Sequence, residues 1–367
     1  MLRDSDLGMS AEPGDVVATL AEARELSQPP LVILEPLEEL LESLSLGSGP
    51  IDARPLGDGH SNVTYLLTRG AARVVLRRPP RPPFAPSAHD VLREARLLEG
   101  LRAVGMPVPK IIARIEAPNP IGVPFVLAEY IDGHAISKAG PPALASREDS
   151  RRIGEELVDA LVTLHAADVS VAPLSQIGKP TGYLDRQLSR FKTTWVDVRT
   201  RPIRDLELVT SWLEERLPDS RETTLVHGDF RLGNMLYARL PPARLVAVLD
   251  WEMATLGDPL ADLGYLCATW AEPGDDENPI LALSAATQAP GHLSRSELAT
   301  RYAMRSGRSI DGLGWFEVLG LWKCAIFLEA SYKRYLAGTT DDPYFAGLGE
   351  GIPRIAAAAL RRSRELD

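Results

Sequence analysis

The chain has 367 residues, of which 45% are hydrophobic and 25% are charged. This length corresponds to roughly two or three average domains and can bury a large apolar core, which excludes disordered, collagen-like and disulfide-scaffold proteins. The net charge of −10 disfavours a nucleic-acid-binding protein that acts by neutralising phosphates.

The basic residues are divided unevenly between the two types. Of the 40 basic residues, 34 are arginines and six are lysines, and the first lysine is Lys110. Codon bias explains the excess across most of the chain. It also means that the strands predicted before residue 110 offer no lysine as a functional cation.

We expect a cytoplasmic protein. The N-terminus carries acidic residues where a signal peptide needs a basic region and an apolar run, and no run of 18 apolar residues predicts a membrane span. Cys267 and Cys324 lie far apart and outside any motif, which predicts two free buried thiols.

The sequence pattern of the first third of the chain predicts mostly strands. Residues 1–30 form a polar, partly flexible N-terminal extension with a weak helix over 16–26, and a helix follows over 36–44. Residues 50–67 and 72–78 have the pattern of strands separated by turns. Five of the nine residues over 78–86 are prolines, which predicts an extended loop.

A helix is predicted to begin at Ser87, with Asp90 as its capping partner. In this helix Glu94 shares one face with three leucines, at i+3, i+4 and i+7. A carboxylate on an apolar face costs free energy unless a cation meets it. Glu94 is therefore predicted to pair with a cation.

A strand over 125–128 is followed by a segment that is mostly helical, beginning with an amphipathic helix through Ile153 and Leu164. A β-rich first part and an α-rich second part predict two lobes that meet near residue 130. The expected fold class is α+β, with an N-terminal lobe over 31–130 and a C-terminal lobe over 131–367.

The segment TLVHGDFRLGNMLY carries the strongest chemical signal. It places Asp229 five positions before Asn234, and the apolar run 245–249 predicts a buried strand that ends at Asp250. One candidate base and two oxygen ligands suit phosphoryl transfer. That reaction needs metal charge on the phosphates and a carboxylate that orients the attacking hydroxyl.

The pattern H-G-D-x-x-x-x-N with a later D-W-E resembles the kinase catalytic loop and its D-F-G, in the form found in the aminoglycoside phosphotransferase and choline kinase branch. The runs GDGHSN, TGYLDRQLSRFKTTW and GDPLADLGYL resemble the same branch, in a subgroup similar to the kinase-like domains attached to acyl-CoA dehydrogenases. The resemblance covers roughly residues 35–350. It implies a bilobal protein-kinase-like fold, with a small antiparallel β lobe, a larger helical lobe and ATP between them.

The resemblance also implies roles for residues of the catalytic motif. Asp229 resembles the base that accepts the hydroxyl proton, and Arg231 stands where protein kinases keep a lysine near the transferred phosphoryl group. Asn234 and Asp250 resemble the Mg²⁺ ligands.

In the N-terminal lobe, Gly57, Gly59, Ser61 and Asn62 belong to a stretch that resembles the phosphate-covering loop. Glycines let the backbone approach the phosphates, and the serine can donate a hydrogen bond to one of them.

Arg77 stands where the kinase pattern has a strand lysine, and Glu94 resembles the helix carboxylate that holds that cation. An arginine is always charged and binds phosphate through two parallel hydrogen bonds, so it suits the role. Glu129 and Ile131 lie in a stretch that resembles the hinge, whose backbone would bind adenine.

Together these features predict Mg²⁺-dependent transfer of the γ-phosphoryl group of ATP to a hydroxyl of a small molecule, by a monomer or homodimer without a nucleic-acid or membrane partner. A metabolic alcohol such as a hydroxyacyl-CoA is favoured as the acceptor. An aminoglycoside or other antibiotic is one alternative, and a catalytically silent nucleotide-binding protein is another. The short interval from Asp250 to Asp262 leaves no room for a long activation loop, which argues against a protein substrate.

Several polar residues are predicted to be structural. His165 and His227 are interpreted as hydrogen-bonded core histidines, and Asp258 and Asp262 as capping residues of a turn and a helix. The acidic run 272–277 is interpreted as a solvated loop.

Overall fold

The computed structural model describes residues 12–56, 62–82, 90–220, 222–338 and 343–367. The chain divides into two compact units. The first extends to Ala103 and includes Val108–Ile131, and the second comprises Val104–Pro107 and Asp132–Asp367.

The first unit begins with four short elements. They are β1 (Val16–Val17), α1 (Leu20–Glu25), β2 (Val32–Ile33) and α2 (Leu34–Ser43). β1 pairs with β2 in parallel, and Thr19 caps α1 by accepting a hydrogen bond from the amide of Glu22. The helix predicted over 16–26 is therefore shorter than expected, because its first residues pair as a strand.

A five-stranded antiparallel sheet forms the body of the first unit. Its strands are β3 (Ile51–Pro55), β4 (Val63–Arg69), β5 (Ala72–Arg78), β6 (Ile111–Ile115) and β7 (Phe125–Glu129), in the spatial order β3-β4-β5-β7-β6. Alternate residues of β4 and β5 are buried, as expected for strands with one face on a core. That core also includes Leu37 and Leu41 of α2.

The helix that carries Glu94 is α3 (Val91–Ala103). Ser87, its predicted start, lies outside the described residues. Asp90 is the observed cap, since its Oδ1 accepts a 2.8 Å hydrogen bond from the amide of Arg93.

The second unit is mostly helical. Its helices are α4 (Arg147–His165), α5 (Tyr183–Val198), α6 (Arg204–Glu215), α7 (Leu260–Thr269), α8 (Pro279–Ala282), α9 (Arg295–Ser306), α10 (Leu313–Leu336), α11 (Pro343–Ala346) and α12 (Leu348–Arg364). α10 is buried along most of its length and packs against α5, α6, α7 and α12. At Gly264 the backbones of α7 and α10 come so close that a Cβ on this glycine would lie 2.5 Å from the Cβ of Phe316.

Short strands in the second unit position the catalytic motif. They are β8 (His134–Ala135), β9 (Thr224–Val226), β10 (Met235–Tyr237), β11 (Leu245–Val248) and β12 (Thr255–Gly257). β10 pairs with β8 and β11, and β9 pairs with β12, all antiparallel. The amide of Leu249 donates to the carbonyl of Asn234, so this contact brings the residue before β10 next to the residue after β11.

Both cysteines are free and buried, as predicted. Within the described ranges, no helix combines the length and apolar character that crossing a membrane requires.

Candidate functional site

The backbone of the catalytic motif is held by a buried carboxylate. Asp262 of α7 is fully buried and accepts hydrogen bonds from the amides of His227, at 2.6 Å, and Gly228, at 2.8 Å. Asp262 is therefore structural, as predicted, but it supports a loop 34 and 35 positions earlier and does not cap its own helix. Asp258 does act locally, accepting from the amide of Leu260.

Two histidines complete this support, as expected for core histidines. His227 accepts from the amide of Asp229 at Nδ1 and lies 2.9 Å from the carbonyl of Leu249 at Nε2, which assigns the proton to Nε2. His165 contacts the hydroxyl of Tyr302 at 2.7 Å and Asp262 at 3.4 Å. Burial acts to raise the pKa of Asp262, but the interactions with His165 and His227 outweigh it and lower the pKa.

Asp229, the predicted base, has its carboxylate contacted by two side chains of the same motif. The Nδ2 of Asn234 donates to the carbonyl and to Oδ2 of Asp229, both at 2.8 Å, and Nε of Arg231 lies 3.4 Å from Oδ2. Burial acts to lower the pKa of Arg231, but the interactions with Asp229, Tyr265 and Asp250 together outweigh it and the pKa is raised. A Cβ at Gly233 would collide with the guanidinium of Arg231, so this glycine makes room for the cation.

Asp250 follows β11 in an unusual backbone conformation. Its φ of 66° and ψ of 63° lie in the left-handed region, which costs an L-residue roughly 1–2 kcal/mol. Such strain is retained where surrounding structure imposes it, and it is common at ligand-binding residues.

The donors near Asp250 fit Mg²⁺. Since the Nδ2 of Asn234 is engaged with Asp229, its Oδ1 is the oxygen that can serve as a ligand beside the carboxylate of Asp250. Within the described ranges no group of three or more His, Cys, Asp or Glu side chains could hold a metal. One or two protein oxygens completed by phosphate oxygens are typical of Mg²⁺ in phosphotransferases.

In the first unit, Arg77 of β5 and Glu94 of α3 are brought together. The Nε of Arg77 lies 2.9 Å from Oε2 of Glu94, whose side chain is only 7% exposed. The prediction that Glu94 meets a cation is correct, and the cation is the arginine that replaces the strand lysine.

The remaining predicted nucleotide contacts are less fully described. Gly57, Gly59 and Ser61 lie outside the described residues, while Asn62 is described and buried. Glu129 ends β7, and its amide donates to the carbonyl of Lys110, so this amide is not available to adenine. Ile131 is half-buried and is the last residue of the first unit. Their roles remain predictions.

Sequence reasoning missed Lys323 of α10. It is buried, and its Nζ lies 3.4 Å from the carbonyl of Gly228, directly before Asp229. The sequence feature that could have identified Lys323 is its position as a single charge inside the apolar run GLWKCAIF, because a buried ammonium needs a partner.

The acidic run 272–277 is not simply solvated, which corrects the sequence interpretation. Arg295 pairs with Glu272 at 3.4 Å and donates to Asp275 at 2.9 Å. Part of the run lines a cleft of about 370 Å³. Three carboxylates of this cleft form ion pairs with arginines: Asp275 with Arg295, Asp276 with Arg361, and Glu350 with Arg354.

Comparison with known proteins agrees with this geometry. Residues 52–298 match the model of APH, the phosphotransferase enzyme family. The chain belongs to the APH phosphotransferase family. The matched region of this APH member contains the catalytic motif, Asp250 and the pair of Arg77 and Glu94.

Two similar proteins, one found by sequence and one by structure, agree with membership of the APH family. Acyl-CoA dehydrogenase family member 10 of Mus musculus is 33% identical over 309 residues, which are 82% of this chain but 28% of the mouse protein. A Ralstonia eutropha structure with a provisional assignment as an aminoglycoside phosphotransferase superimposes with a TM-score of 0.75 and 25% identity, covering 90% of this chain and 98% of that one.

A more distant structure shows the fold alone. Aminoglycoside phosphotransferase APH(4)-Ia, in a ternary complex with AMP-PNP and hygromycin B, has a TM-score of 0.58 and 17% identity, over 89% of this chain and 98% of that one. The predicted α+β kinase-like fold of this APH member is confirmed.

Proposed function

We propose that this protein transfers the γ-phosphoryl group of ATP to a hydroxyl of a small molecule, with Mg²⁺ as cofactor. The observation that carries the proposal is the arrangement around Asp229. Its backbone is tied to Asp262 through the two preceding amides, and its carboxylate is contacted by Asn234 and Arg231.

The chemistry follows from these side chains. Asp229 orients the acceptor hydroxyl and accepts its proton as the acceptor oxygen bonds to the γ-phosphorus and the bond to the β,γ-bridging oxygen breaks, which releases ADP. Arg231 offers positive charge to the transferring group. Asn234 and Asp250 would hold Mg²⁺, which when bound offsets phosphate charge.

Nucleotide binding is assigned to the first unit. Arg77 would contact the phosphates of ATP while Glu94 fixes its guanidinium. The loop from Gly57 to Asn62 would cover these phosphates. The AMP-PNP complex of APH(4)-Ia supports the use of a nucleotide by a protein of this fold.

A hydroxyacyl-CoA is our favoured acceptor. The mouse relative is named as an acyl-CoA dehydrogenase family member, which supports acyl-CoA chemistry for this subgroup. An aminoglycoside is a weaker candidate, because the carboxylates of the acidic cleft that would attract a polycation are largely offset by arginines.

The test is turnover of ATP with Mg²⁺ and a panel of hydroxyacyl-CoAs and aminoglycosides. Since general-base catalysis contributes about 10²–10⁴-fold, Asp229→Asn is expected to lose at least 100-fold in kcat. Asp168→Asn is the matched control, because this exposed carboxylate accepts hydrogen bonds from the neighbouring Ser170 and lies outside the catalytic motif. Equal turnover by wild type and Asp229→Asn would refute the enzymatic proposal.

A further inference from the structure

Lys323 is a buried cation beneath the catalytic motif. Its residue is 4% exposed, and its Nζ lies 5.2 Å and 5.6 Å from the ring centroids of Phe191 and Tyr265. Its hydrogen-bond acceptor among the described residues is the carbonyl of Gly228, at 3.4 Å. An ammonium in such surroundings costs several kcal/mol unless its contacts compensate for lost water.

The Gly228 carbonyl belongs to the peptide that joins Gly228 to Asp229, and that peptide is held at both ends. Lys323 binds the carbonyl, and the amide of Asp229 donates to Nδ1 of His227 at 3.2 Å. Gly228 has a φ of 86°, and glycine adopts positive and negative φ with similar ease. The peptide could therefore rotate at low cost without these two contacts, and its rotation would redirect the Asp229 side chain.

Nearby charges favour an ammonium at this position. Burial lowers the pKa of Lys323, while the carboxylates of Asp262 and Asp229 act in the opposite direction. Two aromatic faces add attraction for a desolvated cation. A positive charge on α10 is thus compatible with the fold, and it lies at the carbonyl directly before the predicted base.

We propose that Lys323 is a positioning residue for phosphoryl transfer, whose ammonium fixes the Gly228–Asp229 peptide so that the Asp229 carboxylate points at the acceptor hydroxyl. The inference rests on the proposed function. It assigns Lys323 an effect on kcat and none on nucleotide binding.

The experiment compares Lys323→Met, Lys323→Arg and the matched control Lys333→Met. Lys333 lies on the same helix and its Nζ also donates to a backbone carbonyl, that of Asp197 at 2.6 Å, but it is exposed. The probe is Mg²⁺ with ATP, followed as hydrolysis to ADP and as transfer to any acceptor that wild type uses. Thermal unfolding and ATP binding by calorimetry accompany each variant.

Lys323→Met is expected to lose about 10–100-fold in kcat, because small misplacement of a reacting group can cost 10²-fold. The KM for ATP should stay within twofold of wild type. Its melting temperature, measured beside kcat, should show that the variant is folded at the assay temperature. Lys323→Arg should recover most of the lost rate, and Lys333→Met should match wild type.

The outcomes separate the two proposals. Wild-type turnover equal to that of Asp229→Asn overturns the proposed function itself. Wild-type turnover far above Asp229→Asn, with an unchanged kcat in folded Lys323→Met, overturns only the role of Lys323. If Lys323→Met does not fold, Lys323→Arg decides. A kcat within tenfold of wild type supports the role, and a folded protein as slow as Asp229→Asn overturns it.

Discussion

Arg77 is the residue at which the arginine excess of this chain coincides with a position where the kinase pattern has a lysine. No lysine precedes Lys110, so the strands before that residue can offer only arginine as a phosphate-binding cation. The structure joins Arg77 to Glu94, and a guanidinium offers further N–H donors beyond the one that meets the carboxylate. Such a side chain can bind a carboxylate and a phosphate together, which a lysine does less well.

Replacing Arg77 is expected to weaken nucleotide binding. Arg77→Ala should raise the KM for ATP at least tenfold and reduce the free energy of unfolding by about 2 kcal/mol, since a charge-assisted hydrogen bond to Glu94 is lost. Steady-state kinetics and urea unfolding measure the two effects. Arg77→Lys keeps the charge and should fall between Arg77→Ala and wild type. Unchanged kinetics in Arg77→Ala would mean that this cation plays no part in nucleotide binding.

At the scale of elements, α10 is the central helix of the second unit. Its apolar residues pack against other helices of the unit, and it also presents Lys323 to the catalytic motif. Glu329, further along the same helix, is fully buried and accepts a 2.9 Å hydrogen bond from the amide of Thr200. The helix therefore fixes two loops by polar contacts made from within an apolar core.

The thiols of α7 and α10 are expected to be unreactive in the folded protein. Burial raises the pKa of Cys324 to about 12, and burial also raises the pKa of Cys267, whereas an ordinary thiol has a pKa of about 8.5. The thiolate, which is the reactive form, should therefore be absent at pH 8. Titration with Ellman's reagent should detect no thiol in native protein and two after denaturation.

A positive control for this titration is Ser175→Cys, which adds a thiol at an exposed position. That variant should react with one equivalent of reagent before denaturation. Rapid labelling of a native cysteine in wild type would contradict the burial of both thiols.

At the scale of the whole molecule, the N-terminal segment is bound to the first unit by Arg78, the last residue of β5, and by Arg81, which follows that strand. Arg78 is 2% exposed and donates to the carbonyls of Pro30 and Leu31, and burial lowers its pKa to about 10. Arg81 pairs with Asp15 at 2.7 Å. Residues 15–31 are thereby tied to the end of a central strand.

Deleting residues 1–30 should therefore destabilise the protein. The loss of β1, α1, the Pro30 carbonyl that Arg78 contacts and the Asp15 carboxylate that pairs with Arg81 is expected to cost about 2–4 kcal/mol, since hydrogen bonds to charged groups are removed. Urea unfolding of the full chain and the truncated chain measures the difference. Asp15→Asn, which weakens the pair with Arg81 and the hydrogen bond from the amide of Glu12, should cost about 1 kcal/mol. An unchanged unfolding midpoint after deletion would show that these contacts add nothing.

Much of the fold could be predicted from local patterns. Hydrophobic alternation marked β4 and β5, helical spacing marked α4, and the change from strands to helices near residue 130 indicated an α+β chain. The pattern H-G-D-x-x-x-x-N with the later D-W-E, together with the runs GDGHSN, TGYLDRQLSRFKTTW and GDPLADLGYL, indicated the phosphotransferase family, which the family match confirms.

The polar contacts between distant parts of the chain, which hold the catalytic motif and the N-terminal segment, could not be predicted from local patterns. Asp262 binds amides 34 and 35 positions earlier, Lys323 reaches a carbonyl 95 positions earlier, and Arg78 donates to carbonyls 47 and 48 positions before it. Periodicity shows which face of an element is buried, but it carries no information about which distant group that face meets. Those partners are set by how helices and strands pack, since a buried polar group must find its hydrogen bonds wherever the fold brings them.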